Sequence, residues 1–233
     1  LGASYLATGH YCINDSGILH KGLDPNKDQS YFLYALKRSI LEKVLFPIGH
    51  YKKGEVRAIA ENAGLCVSKK KDSTGICFIG KRNFKKFLES YIPNKKGKVI
   101  TTEGKYIGNH DGIYYYTLGQ RKGINIGGTT RPLYIAKKNH CKNELIVAEG
   151  SNHPALFTST LKVNEVSWID KEPCFPLKCN AKIRYRQIEQ PCIVEKKGSF
   201  LSVTFEKPQR AVTPCQSVVF YHETTCLGGG LIQ

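Results

Sequence analysis

Three observations predict an α/β fold that passes into β structure. Apolar residues recur at helical spacing only before Pro93. From there to about residue 153, short apolar runs alternate with glycine-bearing turns. After Ala155 no window has helical periodicity, and strand-length runs follow one another at regular spacing. The prediction is α/β plus β, in three blocks. An α/β block covers residues 1–83, a small mixed α/β block covers 84–153, and a β-barrel or sandwich covers 154–233.

Residues 3–11 read as a short buried strand ending in the turn Gly9-His10. In open α/β sheets ligands bind at the carboxyl ends of strands, although an ordinary strand-to-loop junction looks the same. The turn-rich residues 22–30 feed a helix with Leu33, Leu36, Ile40, Leu41 and Val44 on one face, stopped before Pro47. A second helix spans residues 53–63, with Val56, Ile59, Ala60 and Ala63 as its stripe and Gly64 beyond its end. Residues 65–67 read as a strand. A third helix follows Asn83, a good N-cap, and turns Phe84, Phe87, Leu88 and Tyr91 inward. Strands are expected at residues 98–101, 105–107, 113–117, 133–136 and 145–148, with a glycine-rich loop at 118–128. Six more are expected at 160–168, 179–186, 191–196, 200–206, 217–221 and 225–232.

Net charge is +16, and residues 51–100 carry 13 Lys/Arg against 4 Asp/Glu. Such a concentration points to a polyanionic partner, foremost nucleic acid, against the alternative of a solvated lysine-rich surface. No apolar run is long enough to span a bilayer, and no signal peptide is visible. The nine cysteines are scattered, without Cys-x-x-Cys or nearby histidines, which argues against structural zinc and for reduced, mostly packed thiols. The chain opens Leu-Gly-Ala-Ser and contains no methionine, so residues upstream of Leu1 are expected in the native protein.

The segment Lys69-Lys-Lys-Asp-Ser-Thr-Gly-Ile-Cys-Phe-Ile-Gly80 carries the sharpest chemical question. Lysines and a glycine turn lower a thiol's pKa, and the thiolate is the nucleophile. A cysteine between Ile and Phe is also ordinary core, so Cys77 is either reactive or packed. His10 is positioned to touch a ligand or to serve its turn. Asp28 and Gln29 bind a ligand or cap the next helix. In residues 181–186, Lys182, Arg184 and Arg186 alternate with Ala181, Ile183 and Tyr185, which puts three cations on one face of a strand. The spacing of Gly119 and Gly123 is not that of a phosphate loop, since no Gly-Lys-Ser/Thr follows.

Seven stretches, in order along the chain, together resemble the tRNA-specific 2-thiouridylase family. They are Ala7-Thr-Gly-His-Tyr11, Gly22-Leu-Asp-Pro-Asn-Lys-Asp-Gln-Ser-Tyr-Phe-Leu33, Lys70-Lys-Asp-Ser-Thr-Gly-Ile-Cys-Phe-Ile-Gly80, Thr117-Leu-Gly-Gln-Arg-Lys-Gly123, Arg184-Tyr-Arg-Gln187, Val212-Thr-Pro-Cys-Gln-Ser217 and Leu227-Gly-Gly-Gly230. The resemblance implies the C-terminal part of an adenine-nucleotide alpha-hydrolase-like (ATP pyrophosphatase, Rossmann-like) domain, a central tRNA-binding domain and a C-terminal β-barrel. It implies ATP-dependent replacement of O2 of the wobble uridine by sulfur. Cys77 matches the persulfide carrier, Gly9 an ATP-binding position, and His10, Lys27, Asp28, Gln29, Arg184, Tyr185 and Gln216 tRNA-binding positions. ATP with Mg2+ is the implied cofactor, with no structural metal. tRNA and a sulfur-donor protein (a relay protein or a cysteine desulfurase) are the implied partners, in a bacterial cytoplasm rather than a mitochondrion.

The chain departs from the family pattern in two places. The family's Ser-Gly-Gly-x-Asp-Ser pyrophosphate loop and its other catalytic cysteine would fall before Leu1, so the 233 residues alone are expected to be inactive. Cys215 stands where the family pattern has glycine. Two other classes compete: a non-catalytic RNA-binding protein without the ATP-binding half, and a redox or metal protein built on the cysteines.

Overall fold

The computed structural model of the protein describes residues 2–70, 84–92 and 94–233. In chain order the elements are β1 (Leu6–Ala7), β2 (Cys12–Asp15), β3 (Ile18–Lys21), α1 (Ser30–Leu33), α2 (Arg38–Leu41), β4 (Val44–Leu45), α3 (Lys53–Asn62) and α4 (Phe84–Glu89). They continue with β5 (Gly97–Thr101), β6 (Tyr106–His110), β7 (Leu133–Asn139), β8 (Glu144–Glu149), β9 (Phe157–Trp168) and β10 (Leu177–Lys182). The last are β11 (Gln190–Lys197), β12 (Phe200–Arg210), β13 (Ser217–His222) and β14 (Thr225–Ile232). The chain forms two compact units: one of Leu1–Lys71, Ser159–Lys207 and Pro214–Gln233, the other of Asp72–Thr158 and Pro208–Thr213.

The first unit is built on a six-stranded barrel. Its strands run in the order β13-β10-β11-β12-β9-β14, and β14 pairs back with β13 to close the ring. Closure leaves no unpaired edge within the six. Period-two alternation fills the interior, as with Leu201, Val203 and Phe205 on β12. The triplet Gly228-Gly-Gly230 sits where β14 bulges between its neighbours. A Cβ at Gly229 would lie 2.3 Å from the Val218 carbonyl oxygen, and one at Gly230 2.6 Å from a Val163 methyl, so no side chain fits there. The expected C-terminal barrel is therefore present.

The β2–β3 hairpin extends this sheet beyond β14. Its two-residue turn places Ser16 at φ 50° and Gly17 at φ 85°, the signs a primed hairpin turn requires. The Asn14 side chain receives the Gly17 N–H and donates to the Leu41 and Val44 carbonyls, tying the hairpin to α2 and β4. A shared core joins Cys12, Leu19, Tyr31, Leu41, Val44 and Phe46 to Ile169, Val219, Tyr221 and Cys226. Each such large apolar side chain contributes about 1.5–3 kcal/mol on burial.

The second unit is a four-stranded sheet in the order β6-β5-β8-β7, with β5 and β8 parallel and the other pairs antiparallel. Val99, Ile113, Tyr115, Tyr116, Ile124, Leu133, Ile135, Leu145 and Val147 form its core, and Leu88 of α4 packs on it. The glycine-rich loop is anchored by the Gly119 N–H to the Ile135 carbonyl (2.7 Å) and by the Ile135 N–H to the Gln120 carbonyl (3.0 Å). This is the small mixed α/β element the sequence predicts.

Several expected elements differ. The strand at residues 3–11 is only Leu6–Ala7, paired in parallel with β4. It is exposed rather than buried, because no third strand or helix of the described residues covers it; Leu6 is 62% accessible. The helix expected over residues 30–44 splits into α1 and α2. Lys37 is extended at ψ 152°, and the Arg38 N–H bonds to the Ile169 carbonyl (2.8 Å) in place of a helical partner. Val44 and Leu45 then pair as β4. The second helix forms with Gly64 at φ 70° beyond it, but its stripe buries nothing, and Ile59 is half exposed. Residues 65–67 form a turn with Leu65 and Val67 exposed, not a strand. Tyr91 points outward, and Ile113–Tyr115 is a 3-10 turn rather than a strand. The strand at 179–186 ends at Lys182, which breaks the expected row of three cations. Asn83 and Cys77 lie outside the described residues.

Candidate functional site

An open cleft of about 790 Å³ in the first unit lies between the loop before α1 and the loop from β10 to β11. Leu23, Pro25 and Asn26 line one side, and Tyr185, Arg186, Gln187 and Ile188 line the other. Lys21, Asp28, Lys182 and Glu189 also line it.

Those four form a knot of opposite charges. Lys182 Nζ lies 3.2 Å from Asp28 Oδ2 and 3.5 Å from Glu189 Oε1, and Lys21 Nζ lies 2.8 Å from Glu189 Oε1. The Asp28 side chain is 5% accessible and that of Lys182 13%, so each charge depends on its partner rather than on water. Both lysines also sit over the Tyr221 ring, at 5.4 and 4.8 Å from its centroid. Burial first, then the adjacent Cys226, Asp28 and Glu189, push the Tyr221 phenol well above its ordinary value. Its hydroxyl shares a 3.2 Å hydrogen bond with Ser30 Oγ.

Asp28 therefore does more than precede a helix. Its Oδ1 accepts the Ser30 N–H (3.1 Å) and the Gly22 N–H (3.2 Å), while Oδ2 receives Lys182. Gln29 and Tyr11 bond reciprocally: the Tyr11 N–H donates to Gln29 Oε1 (3.0 Å), and the Gln29 N–H donates to the Tyr11 carbonyl (3.1 Å). His10 is thereby fixed next to this segment. Its Nδ1 is 2.8 Å from Thr8 Oγ1, and its ring meets Phe46 edge-on at 6.3 Å. Gly9 is exposed, with no atom within 4 Å of the place a Cβ would occupy.

Tyr31 joins the remaining segments. Its ring is 6.3 Å from that of Tyr185, and its hydroxyl donates to the Ser217 carbonyl at 2.8 Å, next to exposed Gln216. Burial pushes its phenol up to about 12. Tyr185 packs on Phe32 at 4.5 Å, and the Arg186 guanidinium stands 5.2 Å from its ring. The structure thus brings Lys27, Asp28 and Gln29 into one neighbourhood with Arg184, Tyr185 and Gln216, though they are up to 189 positions apart in the chain. Cys215 holds φ 64°, the left-handed conformation that glycine, the residue the resemblance leads one to expect there, adopts without strain.

Sequence reasoning missed Tyr31, Lys21, Lys182 as a buried residue, Glu189, Lys53 and Arg57. Burial and then repulsion from Lys27 and Arg57 lower the Lys53 pKa, which marks a cluster of three cations beside Tyr11. Asp24 stands among them, raising the Lys53 pKa in turn and accepting the Lys53 N–H at 3.0 Å. The second unit carries its own group: Lys95, Lys96, Lys98 and Lys142 line an open pocket of about 490 Å³ with Glu144.

Among the described residues no three His, Cys, Asp or Glu side chains converge as metal ligands, and no helix is long and apolar enough to cross a membrane.

Comparison with known proteins agrees with the fold. Residues 1–81 match the tRNA methyl transferase HUP domain, 85–149 the tRNA methyl transferase PRC-barrel domain, and 158–232 the Aminomethyltransferase beta-barrel domain. Over its whole length the chain is 51% identical to the tRNA-specific 2-thiouridylase MnmA of Pseudomonas fluorescens (strain Pf0-1), covering 65% of that protein. It is 52% identical to the same-named protein of Halalkalibacterium halodurans and 50% identical to that of Haemophilus influenzae, covering 64% and 63% of them. The chain thus spans a little under two thirds of the length of these relatives.

Proposed function

Since the chain belongs to the tRNA-specific 2-thiouridylase family, we propose that it serves the ATP-dependent 2-thiolation of the wobble uridine of tRNA. What carries this reading is the convergence on Tyr31 of three segments distant in the chain, each cationic or amide-bearing and each open to solvent at its tip. Cationic and amide side chains on loops fit the phosphates and base edges of a folded RNA.

In this reading Lys27, Arg184, Tyr185 and Gln216 touch tRNA, with Asp28 and Gln29 in the same contacting segment and His10 approaching the RNA beside it. Gly9 faces the nucleotide, and Cys77 carries the incoming sulfur as a persulfide. ATP, with Mg2+, supplies activation of the uridine C2 oxygen when bound. The terminal sulfur of Cys77 then bonds to C2 as that activated oxygen departs. With the oxygen gone as AMP, a second cysteine's thiolate attacks Cys77 Sγ, which breaks the persulfide S–S bond, leaves the outer sulfur on C2 and forms a disulfide that external thiols later reduce. A sulfur-donor protein reloads Cys77, and the reaction takes place in a bacterial cytoplasm.

The test is 2-thiouridine in tRNA from cells whose gene carries Cys77→Ser, together with tRNA binding by the purified variant. Loss of the thionucleoside with binding intact is expected. Wild-type thiolation in that strain removes Cys77 from the mechanism. Thiolation absent even with the native gene, with tRNA still bound, favours a non-catalytic RNA-binding protein.

A further inference from the structure

Resting on the tRNA reading above, we infer that Lys182 and Glu189 are positioning residues, which shape the tRNA-contacting loop without touching tRNA themselves. They stand at the two ends of residues 183–188, at the last position of β10 and just before β11. Across this neck they lie 3.5 Å apart. Each is also tied to the opposite wall of the cleft, Lys182 to Asp28 at 3.2 Å and Glu189 to Lys21 at 2.8 Å.

The loop between them is tightly wound. The Ile183 N–H donates to Gln187 Oε1 (2.9 Å), the Gln187 N–H donates to the Arg184 carbonyl (3.2 Å), and Arg186 is left-handed at φ 64°. A non-glycine residue in that conformation is strained, so its surroundings must hold it there. Ile183 is buried, while Arg186 and Ile188 are exposed. The loop is thus anchored at its base and offered at its tip.

The knot pairs two cations with two carboxylates, so it presents no net charge to a polyanion. Its lysines are engaged at short distance with carboxylates and lie over the Tyr221 ring rather than at the surface. The same salt bridges join the wall carrying Lys27 to the wall carrying Arg184 and Tyr185. They therefore set the spacing between two groups that must meet the RNA together.

The experiment measures the Kd of a tRNA transcript with uridine at the wobble position, as a function of salt. It compares the wild type with Glu189→Gln, Lys21→Met and Lys21→Arg, each shown by circular dichroism to be folded at the temperature used. Glu189→Gln makes the protein more positive, so charge alone predicts tighter binding. Positioning predicts weaker binding, by about tenfold, with the slope of log K against log salt unchanged. Lys21→Met, at the most accessible of the four side chains, weakens binding similarly, and Lys21→Arg restores it. Binding by Glu189→Gln as tight as the wild type or tighter overturns the inference. So does a loss of about one unit of salt slope in Lys21→Met, which marks a direct phosphate contact. A wild-type protein that binds no tRNA refutes the functional reading itself, whatever the variants do.

Discussion

In the barrel-bearing unit, two lysines and two carboxylates pair with one another along the cleft, with the Asp28 carboxylate buried among them. In the four-stranded unit, the lysines around residues 95–98 and 142 line an open pocket, and the most deeply buried titratable side chain described there is the imidazole of His110. The difference teaches where geometry is specified. Buried charges hold their partners to fixed positions, because separating them leaves an ion without water. Surface lysines supply field without fixing direction. On the proposed reading, the first unit serves selective RNA contact and the second general attraction to a polyanion.

The sharpest way to break that contrast is to neutralise one lysine in each unit. Lys182→Met leaves Asp28 buried beside no cation, and a loss of about 3–5 kcal/mol is expected in urea unfolding. Lys142→Met in the open pocket is expected to change stability by less than about 0.5 kcal/mol. Similar effects for the two would erase the distinction.

Next in size is the response to alkali. Burial raises the Cys12 thiol from 9.0 to about 12 and the Tyr31 phenol from 10.0 to about 12. The unfolded chain releases these protons above about pH 9 at Cys12 and about pH 10 at Tyr31, where the folded chain retains them. Stability in the first unit is then present below about pH 9 and falls as the pH rises toward 12, by about 1.4 kcal/mol per pH unit for each such group. Thermal unfolding followed from pH 7 to 11 checks this, and an unchanged Tm across that range contradicts it.

A smaller effect separates the units in acid. Burial holds the His110 pKa below its ordinary value of 6.5, and its Nδ1 accepts the Gly112 N–H at 3.1 Å. The stability this neutral ring contributes is present above about pH 6.5 and is lost as the pH falls through its folded pKa. Hydrogen exchange around β5 and β6 should accelerate there before that of β13 and β14.

How much of this was legible in the sequence depends on the kind of interaction. Strand-length runs at regular spacing after Ala155 predicted the barrel strands, because each run is an element of a closed sheet bounded by turns. The helix at residues 30–44 was misread because the Arg38 N–H finds its partner at Ile169, more than a hundred residues away. The β2–β3 hairpin was overlooked although Ser16-Gly17 is a turn signal. In the cleft, local pattern placed Lys182 in a solvent-facing row, and only the fold shows it paired with Asp28 and Glu189. Tyr31 stands out by no local pattern, and its part in joining three segments is purely tertiary.

The smallest effect concerns the departure at Cys215. Cys215→Gly relieves a left-handed non-glycine residue and is expected to raise stability by about 0.5–1 kcal/mol while leaving the cleft intact. A loss of stability means the thiol makes a contribution that outweighs its backbone strain.

The central claim is that residues 24–31, 183–189 and 216–217 form one RNA-facing surface, and hydrogen exchange with and without tRNA tests it most directly. The account predicts that peptides from all three segments exchange more slowly in the complex, while the turn at Gly198 between β11 and β12 is unaffected. Tight tRNA binding with no protection in these three segments would contradict it.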